Sequence, residues 1–284
     1  MCDSVFAYII YRMQSTITSM VKGVYMKQLK LFLLIISIAA VSACSKSGSD
    51  DNDLTQTGPF KGMSASQLYK EGKDALAKKQ YDSASKRFEA LDTMYPFNDY
   101  AENAQLDLIY AYYMDQKYPA ASATAERFIH LYPRAKRVDY AYYMKGLSNF
   151  QQPRGTLTKL FPIDESWRDP GTQNQAYSDF ATLVQRFPHS KYKANALQRM
   201  IFLRNEFAKH ELNIANYYFE RRMYVAAAER ANFVVETYPQ APSAQPALEL
   251  KFYASKAMGL DEAANDALKV YQATYHKVPP KMTA

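Results

Sequence analysis

Cysteine is almost missing from this 284-residue chain: there are 2, Cys2 and Cys44, and both precede the part of the sequence that repeats. A disulfide framework for the folded part is therefore excluded. Such economy suits an oxidising compartment, where a spare thiol is a liability. Glycine is also scarce, at 9 residues, which argues against a turn-rich β fold and for helices. Only 4 histidines occur (His130, His189, His210, His276), none spaced i, i+4 from another, so no metal site is expected. A Gly-x-Ser-x-Gly elbow, a phosphate loop and a His-Glu-x-x-His helix are all lacking, and with them the common hydrolase and nucleotide chemistries. No cofactor is implied. The apolar run Leu31–Ala43 has thirteen residues, too few for a membrane-crossing helix, which needs about 20.

That run has the form of a secretory signal: Met26-Lys27-Gln28-Leu29-Lys30 supplies the basic start, and small residues close it. Its end, Val41-Ser42-Ala43-Cys44, resembles the lipobox of bacterial lipoproteins, in which the Cys thiol takes a diacylglycerol and becomes the new N-terminus. Residues 26–43 are read as the signal peptide, and residues 1–25, upstream of its own Met, as an over-extended start. Loss of residues 1–43 removes four basic residues and one acid, so the net charge falls from +7 to +4. The cluster Arg134-Ala135-Lys136-Arg137 reads first as solvated loop charge, since an exported chain seldom meets nucleic acid.

Residues 44–64 come next as lipidated Cys and flexible tether, rich in Ser, Asp and Thr. Its run Asp50-Asp51-Asn52-Asp53 lacks the glycine turn and closing Glu of a calcium loop. From Ala65 the chain repeats. A small residue, an apolar one four later and a Pro twelve later recur as Ala84-Phe88-Pro96, Ala121-Ala125-Pro133, Ala176-Phe180-Pro188 and Ala227-Ala231-Pro239. Three copies add a Tyr fifteen before the Pro (Tyr81, Tyr118, Tyr224), and Ala264-Leu268 is a fifth, decayed copy. This is the trailing half of a tetratricopeptide repeat, in which a small residue lets two helices approach and Pro ends the second. The expectation is an all-α solenoid of about five helix pairs over residues 65–275, forming a superhelical rod with a concave groove, and a tail at 276–284. An insertion at residues 151–171 explains one long interval between prolines; residues 192–222, without Gly or Pro, imply a lengthened or bent helix.

Candidate chemistry is thin. Asp164, Glu165 and Asp169 sit together in the insertion, where solvated carboxylates are the default over acid–base work. The 24 tyrosines are the larger excess. Stripes at i, i+3, i+4 and i+7 assign Tyr110, Tyr113, Tyr140 and Tyr143 to packing, leaving Tyr112 and Tyr142 facing away as possible protein contacts. Tyr95, beside Pro96 and Phe97, either stays exposed as a docking ring or caps the first repeat.

Beyond the repeats, the segments Glu89-Ala90-Leu91-Asp92, Leu106 to Tyr113 (LDLIYAYY), Tyr143-Met144-Lys145-Gly146-Leu147, Arg168-Asp169-Pro170 and Tyr217-Tyr218 with Arg221 resemble the BamD family of the outer-membrane β-barrel assembly machinery. The resemblance runs from Met26 nearly to the end. It implies a triacylated Cys44 (N-palmitoyl, S-diacylglycerol) at the periplasmic face of the outer membrane, and a complex with BamA and smaller lipoproteins. It also implies recognition of unfolded outer-membrane proteins by the N-terminal repeats, with Tyr95, Phe97 and Tyr112 as candidates. BamA would sit on the C-terminal repeats, with Arg230 and Arg221 as candidates. No catalysis is implied. A pilot lipoprotein for pilus or secretin assembly is the alternative; a cell-wall hydrolase would need a second domain for which no residues remain. The mature chain should begin at Cys44 and carry acyl chains, each buried CH₂ contributing about 0.8 kcal/mol of anchoring. Intact mass tests this, and Cys44→Ala protein that stays membrane-held in high salt contradicts it.

Overall fold

The computed structural model describes residues 59–152 and 170–280. Residues 1–58, with Cys44 and most of the tether, and residues 153–169 of the insertion, with Asp164, Glu165, Arg168 and Asp169, lie outside the described residues. Those that are described form ten α-helices and no strand: α1 Ala65–Ala77, α2 Tyr81–Met94, α3 Ala101–Met114, α4 Tyr118–Leu131, α5 Val138–Gln151, α6 Gly171–Arg186, α7 Lys193–Glu220, α8 Tyr224–Thr237, α9 Ala244–Ala257 and α10 Asp261–Tyr275. Each helix packs on the next, and the leading helices also touch across pairs, α1 on α3, α3 on α5 and α7 on α9. The fold is thus all-α, five antiparallel helix pairs of the tetratricopeptide kind.

Entry into α1 is fixed by a capping box: Ser64 Oγ accepts from the Gln67 backbone N–H, and the Gln67 side chain accepts from the Ser64 N–H. Within pairs the turn is always three residues, apart from the third pair, and its middle residue is left-handed: Lys79, Gln116 and Arg222 at φ 58°, 61° and 60°, and Gly259 at 71°. Only the last has the residue type that adopts this conformation without strain. Between pairs the stop is also uniform. Tyr95, Tyr132, Phe187 and Tyr238 each precede a Pro, which disfavours the helical region for them. They swing to φ between −136° and −125°, while each backbone N–H still reaches the carbonyl four residues back.

Side-chain bulk is shared out between the helices of a pair. Ala84, Ala121, Ala176, Ala227 and Ala264, the small residues of the repeat pattern, are all buried, and so are Phe88, Ala125, Phe180 and Ala231 four residues on. Phe88 fills space that Gly72 leaves on α1, and Phe180 fills the space left by Gly146 on α5. A Cβ on either glycine would lie 2.5 or 2.6 Å from a ring carbon. In the second pair the order reverses, with Ile109 on α3 against the smaller Ala125 on α4 in one core cluster. Burial of one such Phe contributes about 1.5–3 kcal/mol.

The interval that lacks Gly and Pro is one continuous 28-residue helix, α7, about 42 Å long at 1.5 Å per residue. It is lengthened, not broken. We expect Gly146→Ala to destabilise by about 1–3 kcal/mol despite alanine's better helix propensity, because the ring cannot retreat from a packed core. Adding Phe180→Leu should recover part of the loss in thermal unfolding. Gly259→Ala, where nothing lies within 4 Å of the new methyl, should cost about 1 kcal/mol through backbone strain alone.

Candidate functional site

The end of the first pair is organised around two tyrosines. Tyr95 is half-buried against the core of α1 and α2, and its hydroxyl donates to the Met63 carbonyl at 2.8 Å. Tyr112, on α3, packs on the same core and donates to Glu89 Oε1 on α2 at 2.5 Å. Burial, then that hydrogen bond, pushes the Tyr112 hydroxyl well above the ordinary tyrosine range. The two rings share a core, and their hydroxyls are both engaged within the first two pairs. Phe97 is different: it is 100% exposed in the turn after α2. The matching position after each later repeat-ending Pro is Arg134, His189 or Gln240, so a bare ring here is peculiar to the first turn. That contrast could have been found in the sequence by aligning the turns on their prolines.

The stripe reading of the tyrosines needs correction. Tyr110 is exposed, whereas Tyr112 and Tyr142 pack inward, the latter against the Phe187 ring and accepting from Arg186 Nη1 at 2.6 Å. The reason lies in the helix's position: α3 feeds two cores at once, Ala104, Leu108 and Ala111 into the first and Leu106 and Ile109 into the second. A helix buried on two sides has no single apolar stripe.

What remains of the leading helices is a tyrosine-lined face. Tyr69 on α1 stacks on Tyr100 at 4.9 Å and bonds Asp107 of α3. Tyr143 on α5 stacks on Tyr192 at 4.6 Å and donates to Asn195 of α7. Tyr140 lies 5.7 Å from the same Tyr192 ring, and desolvation lifts its hydroxyl above the usual range. Rings and hydroxyls in this arrangement suit contact with polypeptide.

In the fourth pair, Arg230 of α8 holds Glu211 of α7 at 2.8 Å with the arginine side chain about half exposed. Arg221, which ends α7, lies over the Tyr217 ring at 4.4 Å. Both guanidiniums therefore remain at the surface. A charge cluster running from the surface inward joins α4, α5 and α6: Lys145 bridges the exposed Glu126 at 2.8 Å and the buried Asp179 at 3.2 Å, and Asn149 and Gln175 also donate to Asp179. Burial raises the Asp179 carboxyl; burial also opposes charge on Lys145, but the two carboxylates outweigh it and raise its pKa. The described residues contain no group of three or more His, Cys, Asp or Glu able to hold a metal ion. Nor do they include a helix long and apolar enough to cross a membrane.

Residues 61–270 match the family model YfiO, described as an outer membrane lipoprotein. The outer membrane protein assembly factor BamD of Neisseria meningitidis is 37% identical over 252 residues, covering 88% of this chain and 93% of that protein. The protein of the same name from Vibrio cholerae is 39% identical over 207 residues, 73% of this chain and 86% of its own length. A solved tetratricopeptide repeat protein from Parabacteroides merdae overlaps 77% of this chain and 82% of its own at 14% identity and a TM-score of 0.34, too remote to add to the argument. Repeats, turns and relatives agree, and the chain belongs to the YfiO family of outer membrane lipoproteins, the family of the BamD assembly factors.

Proposed function

We propose that this chain is a non-catalytic outer-membrane protein assembly factor: a lipoprotein, anchored through Cys44 and facing the periplasm, that binds unfolded β-barrel proteins and the barrel subunit BamA. The observation that carries the reading is the 37% identity to an assembly factor along 88% of the chain. The helical stack supports it, since helix pairs of this kind present side chains for protein binding. In this reading residues 26–43 are the cleaved signal, residues 44–64 the lipidated tether and residues 65–275 the binding domain with its insertion at 151–171. Neither nucleic acid nor a cofactor takes part. Affinity purification from solubilised envelope tests the whole: a large β-barrel protein and small lipoproteins should come with the chain. Recovery of a secretin instead would favour a pilot lipoprotein.

The first pairs receive substrate. The terminal strand of a barrel protein alternates aromatic and polar residues, and an extended segment of that kind seeks apolar contacts flanked by hydrogen-bonding groups. Phe97 offers the exposed ring, two residues after Tyr95, which is braced on Met63, and Tyr112 is braced on Glu89. A photo-crosslinker at position 95 or 97 should label a peptide of a barrel protein's last strand, and label less when the peptide's terminal aromatic is removed. Equal labelling by both peptides would remove the substrate site and leave the scaffold role standing.

The fourth pair receives BamA through Arg230 and Arg221. A charge-assisted bond to a partner carboxylate contributes about 1.5–3 kcal/mol. Arg230→Glu should therefore weaken BamA retention on the order of 10- to 100-fold, while circular dichroism stays helical because the Arg230 side chain is about half exposed and lies outside the buried core. Undiminished BamA would refute this assignment.

A further inference from the structure

The two middle inter-pair turns carry an exposed positive edge that the assembly role leaves unused. Arg134, Lys136 and Arg137 follow α4; Arg186 ends α6, and His189 and Lys191 follow it; all six are exposed. The matching turns after α2 and α8 read Phe97-Asn98-Asp99 and Gln240-Ala241-Pro242, so the charge is not a requirement of the turn. The fold brings the two basic turns together. Lys136, Arg186 and His189 line one depression of about 370 Å³, with Ser190 beside them. Arg137 lies over the Tyr140 ring at 5.3 Å and Lys191 over the Tyr192 ring at 5.1 Å, and those rings are neighbours. Arg186 lies over Tyr142 and Phe187.

Arg137, Arg186 and Lys191 are backed by rings. Lys73, Lys86, Arg87, Lys117 and Arg127 of the first two pairs all hold an Asp or Glu, whereas among the described residues no salt bridge engages Arg134, Lys136, Arg137, Arg186 or Lys191. Asp139, the one acid lining the depression, is engaged by the Ser190 hydroxyl at 2.7 Å and the Tyr140 N–H at 2.8 Å. The edge thus presents exposed positive charge on two inter-pair turns, with Asp139 as the single acid in the depression.

We propose that this edge rests on an anionic phospholipid surface, taking headgroup phosphates at the depression and orienting the helix pairs against the bilayer. The inference rests on the reading of the chain as a membrane-anchored lipoprotein: an anchored domain spends its time within reach of headgroups, and basic residues that meet an anionic leaflet add a second membrane signal to an acyl anchor. Contact is electrostatic, carried by the exposed basic side chains of the two turns. It must therefore weaken with salt.

Full-length protein is incubated with phosphatidylcholine vesicles containing either no phosphatidylglycerol or about a third of it, at low and at high salt, and bound protein is read by co-sedimentation. The expected result is greater binding to the anionic vesicles, lost in high salt. Each basic residue near such a surface contributes on the order of 5-fold in partitioning. R134E/K136E/R137E should thus lower the anionic preference by about 100-fold or more, and R186E/K191E should lower it too. K78E/K79E, which reverses two exposed lysines of the first turn, should leave it unchanged. Equal binding to both vesicles by all variants, as an apolar leader alone would give, overturns the proposal. So does an equal drop with K78E/K79E, or binding of polyglutamate without any anionic-vesicle preference, which would make an acidic polypeptide the occupant. Since BamA and substrate are retained elsewhere on the chain, their co-purification with R134E/K136E/R137E separates failure of this inference from failure of the assembly reading.

Discussion

The pairs depend on a sharing of bulk between their helices, seen most sharply in the first and third: where the leading helix gives up its side chain, the trailing helix supplies a ring. Gly72 with Phe88 and Gly146 with Phe180 bring the helix axes close enough that a single methyl group would not fit. The remaining architecture adjusts to this approach. Three-residue turns join four of the five pairs, and they force Lys79, Gln116 and Arg222 into a conformation that glycine would adopt more readily. Packing gains on both sides of each turn offset that local strain.

Because the turn and the aromatic-Pro stop are settled by backbone geometry, the residues at their tips are released from structural duty. Tyr95, Tyr132, Phe187 and Tyr238 are interchangeable as stops, yet the turns they open carry a bare Phe, a basic triplet, a basic pair or a neutral stretch. Variation in chemistry over a constant backbone is how a repeated unit acquires different partners along its length. Phe97 and the edge around Lys136 are two outcomes of the same freedom.

Much of the fold was legible because it is written in spacing: small residue, apolar residue and Pro sit at fixed intervals, and the buried Ala84, Ala121, Ala176 and Ala227 are the residues that spacing marks. The length of α7 followed from the absence of any breaker between Tyr192 and Arg222. The tyrosines were harder, since a stripe rule presumes one buried side and α3 has two. Tyr95 carried both of its readings in the sequence; the hydroxyl bond to Met63, thirty-two residues away, is a tertiary contact that no local pattern encodes. The basic edge was half visible as Arg134-Ala135-Lys136-Arg137, but its convergence with Arg186 and His189 depends on how two pairs meet.

The third pair joins its helices unlike the others, with nineteen residues between α5 and α6 where every other pair has three. α5 and α6 are therefore brought together by what their own side chains do across the pair and not by a short turn. The contact between α5 and α6 is thus a seam fixed by side chains. At that seam sit Gly146 against Phe180, which tolerates no sideways slip, and Lys145 between Glu126 and Asp179. A misaligned docking would bury the aspartate without its donors, and an uncompensated buried charge is heavily penalised. The ion pair thereby acts as a register check on the one junction whose short turn has been lost.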